Sequence, residues 1–371
     1  MTDARRRVET ALARLTDAAD RAGRPLTFME VCGTHTVSAF RSGLHSLMPG
    51  GVRLLSGPGC PVCVTAQSDI DRLIDLGGRR DVTVCTYGDM MRVPGRRGSL
   101  AEARSAGADV RVVYSSLDAV KLAAAEPARQ VVFAAVGFET TAPATAAAVL
   151  EAGRRELDNF TALTSHKLVV PAMLALLEAG EIRIDGFLCP GHVSVIIGAE
   201  AYRPIVEGYS LPCVVAGFEP AQMAEALAAL AEQAAAGRAE LDNAYPQVVR
   251  AHGNPEAMRI IEQVFEPSDV RWRGLGEIPG SGLELREAFA GFDAARRFGL
   301  AMPEDREPSG CLCGAVISGT ATPPDCALFG RACTPLHPIG PCMVSSEGTC
   351  QAWHKYRRGK PSREPIAESV S

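Results

Sequence analysis

The residues best suited to chemistry in this 371-residue chain are its twelve cysteines, and their spacing matters more than their number. Six lie near the end, as Cys311-x-Cys313, Cys326, Cys333, Cys342 and Cys350, with Pro323, Pro324, Pro335, Pro338 and Pro341 among them. Thiolates are the usual ligands of iron–sulfur clusters and of structural zinc. The paired C-x₂₋₄-C knuckles of zinc sites are absent, and the wide, uneven spacing suits a four-thiolate [4Fe–4S] cluster with two cysteines left over. A zinc ribbon or a set of unligated buried thiols stays open as an alternative. The stretch from Pro308 to Cys350 has little apolar periodicity, so a bound metal group would supply the constraint that packing does not.

Two more thiol groups stand near the start. Cys32-Gly33-Thr34-His35-Thr36 follows a strand-like run, where α/β proteins open their binding crevices. A soft sulfur with an imidazole three residues on suits a metal site or a thiol of lowered pKa. A buried cysteine beside a capping threonine is the plainer alternative. Gly57-Pro58-Gly59-Cys60-Pro61-Val62-Cys63 carries a C-P-x-C motif like the redox dithiol of thioredoxin-like proteins. A helix expected over Thr65–Leu76 would favour the Cys60 thiolate through its dipole. Polar clusters close other expected strands: Tyr87-Gly88-Asp89, Gly137-Phe138-Glu139-Thr140-Thr141, Ser165-His166-Lys167 and Pro190-Gly191-His192-Val193-Ser194. They are expected to line one edge of the sheets and face a common cleft.

The elements that must position these residues follow from hydrophobic periodicity. Residues 2–22 read as an amphipathic helix through Val8, Leu12, Leu15 and Ala19. From there to about residue 240, short β-branched runs alternate with Ala-rich helical stretches, which implies parallel α/β structure. Val131–Glu139 and Cys213–Glu219 both end in Gly-Phe-Glu before a helix, a hint of two similar units. The expectation is two similar parallel-sheet α/β domains, 25–145 and 146–240. A third, mainly helical and irregular iron–sulfur domain is expected from 1–24 with 241–371, with the N-terminal helix packed on it. Helical patterns are read at Glu256–Phe265 and Leu283–Phe298. The segment from His354 to Arg363, with Lys355, Arg357, Arg358, Lys360 and Arg363, reads as a solvated basic tail.

Composition narrows the function classes. Lys and Arg number 38 against 43 Asp and Glu, a net charge of −5. Mild acidity argues against nucleic-acid binding, and no run is long and apolar enough to span a bilayer. The first residues lack the apolar core of a secretion signal, so a cytoplasmic location is expected. No P-loop, dinucleotide fingerprint or H-E-x-x-H motif occurs.

Taken together, Cys-Gly-Thr-His-Thr (32–36), Gly-Pro-Gly-Cys-Pro-Val-Cys (57–63), Tyr-Gly-Asp-Met-Met-Arg-Val-Pro-Gly (87–95), Gly-Phe-Glu-Thr-Thr-Ala-Pro (137–143), Pro-Gly-His-Val-Ser (190–194) and Met-Val-Ser-Ser-Glu-Gly-Thr-Cys (343–350) resemble the HypD family of [NiFe]-hydrogenase maturation proteins. Val170 stands where that family's pattern suggests proline. The resemblance implies a scaffold on which iron receives two cyanides and one carbon monoxide, giving the Fe(CN)2CO unit. It implies two partners, a HypC-type chaperone and a HypE-type cyanide donor. It also implies roles: Cys32 as the iron-site thiolate with His35 close by, and Cys60 with Cys63 as a redox dithiol. Cys311, Cys326, Cys333 and Cys350 would hold a [4Fe–4S] cluster, Cys313 and Cys342 would form a second redox pair, and His192 and Glu347 would be further functional positions. Two other readings remain at this level, a free-standing iron–sulfur protein-disulfide reductase and a zinc-ribbon structural protein.

Overall fold

The computed structural model describes residues 3–356. Among these the strands are β1 (Leu26–Glu30), β2 (Val52–Ser56), β3 (Val82–Thr86), β4 (Asp109–Val112), β5 (Gln130–Gly137), β6 (Phe160–Lys167), β7 (Gly186–Pro190), β8 (Cys213–Ala216), β9 (Leu241–Asn243), β10 (Phe265–Trp272) and β11 (Gly276–Leu285). They form two sheets. The first has the order β2-β1-β7-β8-β9 and is parallel throughout. The second has the order β10-β11-β6-β5-β3-β4, parallel except for the β10–β11 hairpin, which adds antiparallel to β6 through Gly282–Lys167 and Leu283–His166. Strands β3, β7 and β8 are buried along their whole length. Helices cover both faces of a parallel sheet, so these strands are buried on both sides even where, as in Val-Thr-Val-Cys-Thr, small polar residues alternate with apolar ones.

The α/β class expected from the sequence is the class observed, but the domain boundaries are not. The chain builds β1 and β2, crosses to the second sheet for β3 to β6, and returns to the first for β7 to β9. Ranges 25–145 and 146–240 therefore each feed both sheets. The two Gly-Phe-Glu runs stand at the ends of β5, the third strand the chain adds to the second sheet, and β8, the fourth it adds to the first, so the likeness marks a shared strand-to-helix junction and not consecutive domains. The range 241–371 is divided as well, because β9 belongs to the first sheet and β10 and β11 to the second. The pattern over Leu283–Phe298 is not one continuous helix. Leu283 and Leu285 end β11, and a six-residue 3₁₀ helix, Glu287–Phe292, and one α-helical turn, Ala294–Arg297, follow. From Leu300 to Gly348 the chain runs in short turns and one six-residue helix, Cys313–Ser318.

The N-terminal helix, Asp3–Ala22, also departs from expectation. It packs on helix Pro220–Ala235 of the first sheet, not on the cysteine-rich segment. Ala11, Leu15 and Ala18 meet the Ala-rich face of Ala224, Leu227, Ala228 and Ala231 in one core cluster. Arg7 pairs with Glu225 and Arg14 with Glu232, each through two hydrogen bonds of 2.8 Å. Seven residues are two helical turns, so the two pairs fix the helices parallel and in register. At the other end, helix Thr349–Tyr356 docks on helix Gly33–Arg41, with the Trp353 and Phe40 rings 5.4 Å apart. Of the expected basic tail, Arg357, Arg358, Lys360 and Arg363 lie outside the described residues. Among the described residues no helix is long and apolar enough to cross a membrane.

Leu15 is fully buried, so Leu15→Ala should destabilise the fold by roughly 2–5 kcal/mol. Arg14→Ala, which breaks an exposed pair, should cost about 0–1 kcal/mol. Urea denaturation followed by circular dichroism would measure both.

Candidate functional site

In the first sheet β1 leads outward to β2 on one side and β7 leads outward to β8 on the other. The chain departs in opposite directions from two neighbouring strands, which opens a crevice at their carboxyl ends. Cys32 follows β1 and His192 follows β7, so both stand at this point.

Cys32 caps helix Gly33–Arg41 in an extended conformation, and its N–H donates to Glu30 Oε2 at 2.8 Å. Thr36 Oγ1 donates to the other oxygen of Glu30. Glu30 is only 1% exposed, and burial raises its pKa to about 7 despite these donors. Burial likewise pushes the Cys32 thiol up to about 12, with the Glu347 and Glu30 carboxylates adding to the rise. His35 Nε2 donates to the Gly217 carbonyl at 3.0 Å, and burial lowers the ring's pKa to about 4. The imidazole is therefore neutral and does not depress the Cys32 pKa, as the Cys-x-x-His spacing suggested it would. Its Nδ1 is buried with no hydrogen-bond partner. Phe218 holds both histidines: its ring centroid lies 4.7 Å from that of His35 and 3.8 Å from that of His192.

Glu347 reaches this crevice from far along the chain. Thr34 Oγ1 donates to Glu347 Oε1 at 2.6 Å. A Cβ on Gly33 would collide with the Cβ and carbonyl of Glu347, so the close approach depends on glycine. The preceding residues hold the second sheet. Asp89, which follows β3, accepts from Ser345 Oγ at 3.1 Å and from the Ser346 N–H and Oγ at 3.2 Å each.

Cys60 and Cys63 are joined as a disulfide across one helical turn, Pro61–Val64. The longer helix expected from Thr65 starts at Gln67 instead, so Cys60 caps a single turn and gains little from a helix dipole. The loop lies directly on the Cys32 backbone. Gly33 N–H donates to the Gly59 carbonyl at 3.0 Å, and a Cβ on Gly59 would overlap Cys32.

All six C-terminal cysteines line one cavity, walled by Leu312, Val316, Phe329 and Met343. Cys311, Cys313, Cys342 and Cys350 follow one another around it, each perturbing its neighbour's thiol. The Ile339 N–H donates to Cys333 Sγ at 3.3 Å and the Cys350 N–H to Cys342 Sγ at 3.2 Å. A Cβ on Gly340 would lie 2.9 Å from Cys311 Sγ, so glycine keeps the space beside these sulfurs clear. Among the described residues no three donors already converge as a metal site. The donor set itself, six soft sulfurs in an apolar cavity with amides aimed at two of them, fits a thiolate-bound group by its chemistry. Helix Pro61–Val64 packs against Pro341–Met343 and Cys313–Ser318, which sets the Cys60–Cys63 disulfide beside Cys342 and Cys313.

Not every cluster read from the sequence joins this crevice. Ser165 donates to Asp69 Oδ2, His166 bonds Thr145 and Glu139 accepts from the Val169 N–H, all within the second sheet's surroundings. Conversely, Glu30, Gly217 and Phe218 form the walls of the crevice and were not among the expected site residues. An acid closing an otherwise apolar strand, Leu-Thr-Phe-Met-Glu, was the available signal for Glu30. Phe218 lay inside the repeated Gly-Phe-Glu run.

Fold and site define a two-sheet α/β protein whose thiol groups gather where its switch-point crevice meets a cysteine-lined cavity. The family described as "HypD: Hydrogenase formation hypA family" matches residues 6–357. The chain is 46% identical over 362 residues to the hydrogenase expression/formation protein HupD of Azotobacter chroococcum mcd 1, covering 96% of this chain and 95% of that protein. It is 46% identical over 355 residues to the hydrogenase maturation factor HypD of Rhodobacter capsulatus (93% and 94% covered). It is 44% identical over 338 residues to that of Escherichia coli (strain K12), with 91% of each covered. The chain belongs to the HypD family of hydrogenase maturation factors.

Gly33→Ala should force residues 345–350 away from the crevice at a cost of roughly 1–3 kcal/mol. Hydrogen–deuterium exchange should then rise across 345–350 while the strands of both sheets keep their protection.

Proposed function

We propose that this chain is the scaffold on which iron, as cargo, acquires two cyanides and one carbon monoxide before delivery to a hydrogenase. The observation that carries this reading is the order of the thiols: the six-cysteine cavity adjoins the Cys60–Cys63 disulfide, whose loop lies on the backbone of Cys32. In this reading Cys32 gives the iron a single thiolate from the scaffold. That leaves positions for cyanide, carbon monoxide and a thiolate of a HypC-type chaperone, with a HypE-type protein as cyanide donor. His35 and His192, fixed on Phe218, flank the cargo, and Glu347 closes the crevice above Thr34. The thiol of Cys32 is held protonated by burial, so metal binding displaces its proton. Cys311, Cys326, Cys333 and Cys350 would hold a [4Fe–4S] cluster, which supplies electrons when bound. Cys313 and Cys342 line the side of that cavity whose elements pack on the Cys60–Cys63 turn, and the disulfide takes up two electrons and two protons to become a dithiol.

Three outcomes test this. Anaerobically purified protein should contain about four irons and four sulfides per chain; zinc without iron or sulfide would overturn the cluster in favour of a zinc-bound structural segment. Cys32→Ala should keep that iron and sulfide but lose the infrared bands of bound cyanide and carbon monoxide in the complex isolated with its chaperone. Bands at wild-type intensity would move the iron site elsewhere. Cys60→Ser and Cys63→Ser should each fold and keep the iron and sulfide yet abolish hydrogenase maturation in a deletion strain, whereas full activity with both would remove the dithiol step.

A further inference from the structure

The Ser165-His166-Lys167 cluster, left out of the crevice above, borders a second buried polar cluster at the start of helix Gln67–Gly77. Lys167 is 1% exposed, and its closest carboxylate oxygen, Asp69 Oδ2, stands 4.0 Å away, beyond hydrogen-bond reach. Arg72 reaches Asp69 Oδ1 at 3.4 Å, while its Nε is buried without a partner. The Ser68 hydroxyl is also buried and unpartnered. The helix has Ala66 at its cap position, which offers no side-chain acceptor. The acceptor comes instead from a distant segment, since the Ser68 N–H donates to Asp305 Oδ1 at 2.8 Å. Asp305 also acts electrostatically on Lys167. Its segment is largely exposed, and its other contact with the cluster is Met302 Sδ on Arg72 at 3.9 Å. Asp71 on the same helix turns away to Arg96.

Here is a carboxylate, on an exposed strap, seated at a helix N-terminus near the buried Lys167, which shares one fixed acid with Arg72. Removing Asp305 leaves those cations in excess, with buried donors unfilled. We propose that this cluster is a second ligand site, specific for a small monocarboxylate, with Asp305 as its built-in competitor. The ligand takes the place of the Asp305 carboxylate on the Ser68 N–H and Ser68 hydroxyl beside Lys167 and Arg72, and the 301–307 strap lifts to admit it. Tethering gives Asp305 an effective concentration that a free ligand must overcome, so the wild-type chain binds weakly and the site is unmasked when the strap is displaced.

Chemical rescue tests this. Asp305→Ala should lower the thermal midpoint, and acetate or formate should restore at least half of the loss in a saturable manner. Sodium chloride at matched ionic strength should not. Acetate should bind Asp305→Ala at least roughly tenfold more tightly than wild type, the advantage of removing a tethered competitor. Lys167→Met in the Asp305→Ala background should remove the rescue. Recovery no greater than with chloride, or rescue that survives Lys167→Met, overturns the site. Inorganic phosphate that rescues as well as acetate overturns its assignment to carboxylates. A measurement on unaltered protein covers the case in which the variants do not fold. Acetate at high millimolar concentration should increase hydrogen exchange in 301–307 of the wild type relative to chloride, and unchanged exchange there overturns the proposal.

Discussion

Three consecutive residues, Ser345, Ser346 and Glu347, are where the two sheets are made to share a site. Ser345 and Ser346 bind Asp89 at the end of β3, and Glu347 accepts from Thr34 just past the end of β1. Each end is a switch point of its own sheet, since β3 and β5 diverge as β1 and β7 do. Hydrogen bonds to a charged acceptor contribute about 1.5–3 kcal/mol apiece, so the segment is a strong tie for so few residues. Because Cys342 and Cys350 flank it, the same tie fixes the cysteine-lined cavity relative to Cys32. Loosening it would separate the thiol groups without disturbing either sheet's core.

The second common thread is low dielectric. Burial raises Glu30 and Cys32 and lowers His35 and His166, and in each case burial is the largest cause. Burial thus favours the neutral forms of the Cys32 thiol and the two imidazoles and brings Glu30 close to the neutral range. Binding of a metal by the protonated Cys32 thiol would therefore release a proton. The glycines at 33, 59 and 340 serve the same end sterically, since each keeps a side chain out of a space beside a sulfur or beside the segment that closes the site.

The cluster at Lys167 shows the opposite economy. There Lys167 and Arg72 share Asp69, and a carboxylate from a remote strap, Asp305, accepts from the Ser68 N–H beside them. The second sheet is thereby given a polar centre of its own, apart from the thiol chemistry of the first.

Much was legible in the sequence because it is local. Cysteine spacing, the Cys-Gly-Thr-His-Thr and Gly-Pro-Gly-Cys-Pro-Val-Cys runs, and the alternation of strand and helix to residue 240 need only neighbours a few positions apart, and they sufficed for the α/β class and the family. Sheet membership was not legible, because parallel pairing joins residues such as Phe28 and Gly186 that no local pattern connects. Only the end of β7 was legible, at the Pro-Gly-His-Val-Ser cluster: Gly-Phe-Leu-Cys-Pro is too short and too framed by Gly and Pro to give its bounds, yet it is buried from end to end. The partner of the N-terminal helix depended on matching two Ala-rich faces and two ion pairs more than two hundred residues apart. The state of His35 was decided by tertiary structure alone, since spacing sets which groups are near but burial sets which of them carry charge.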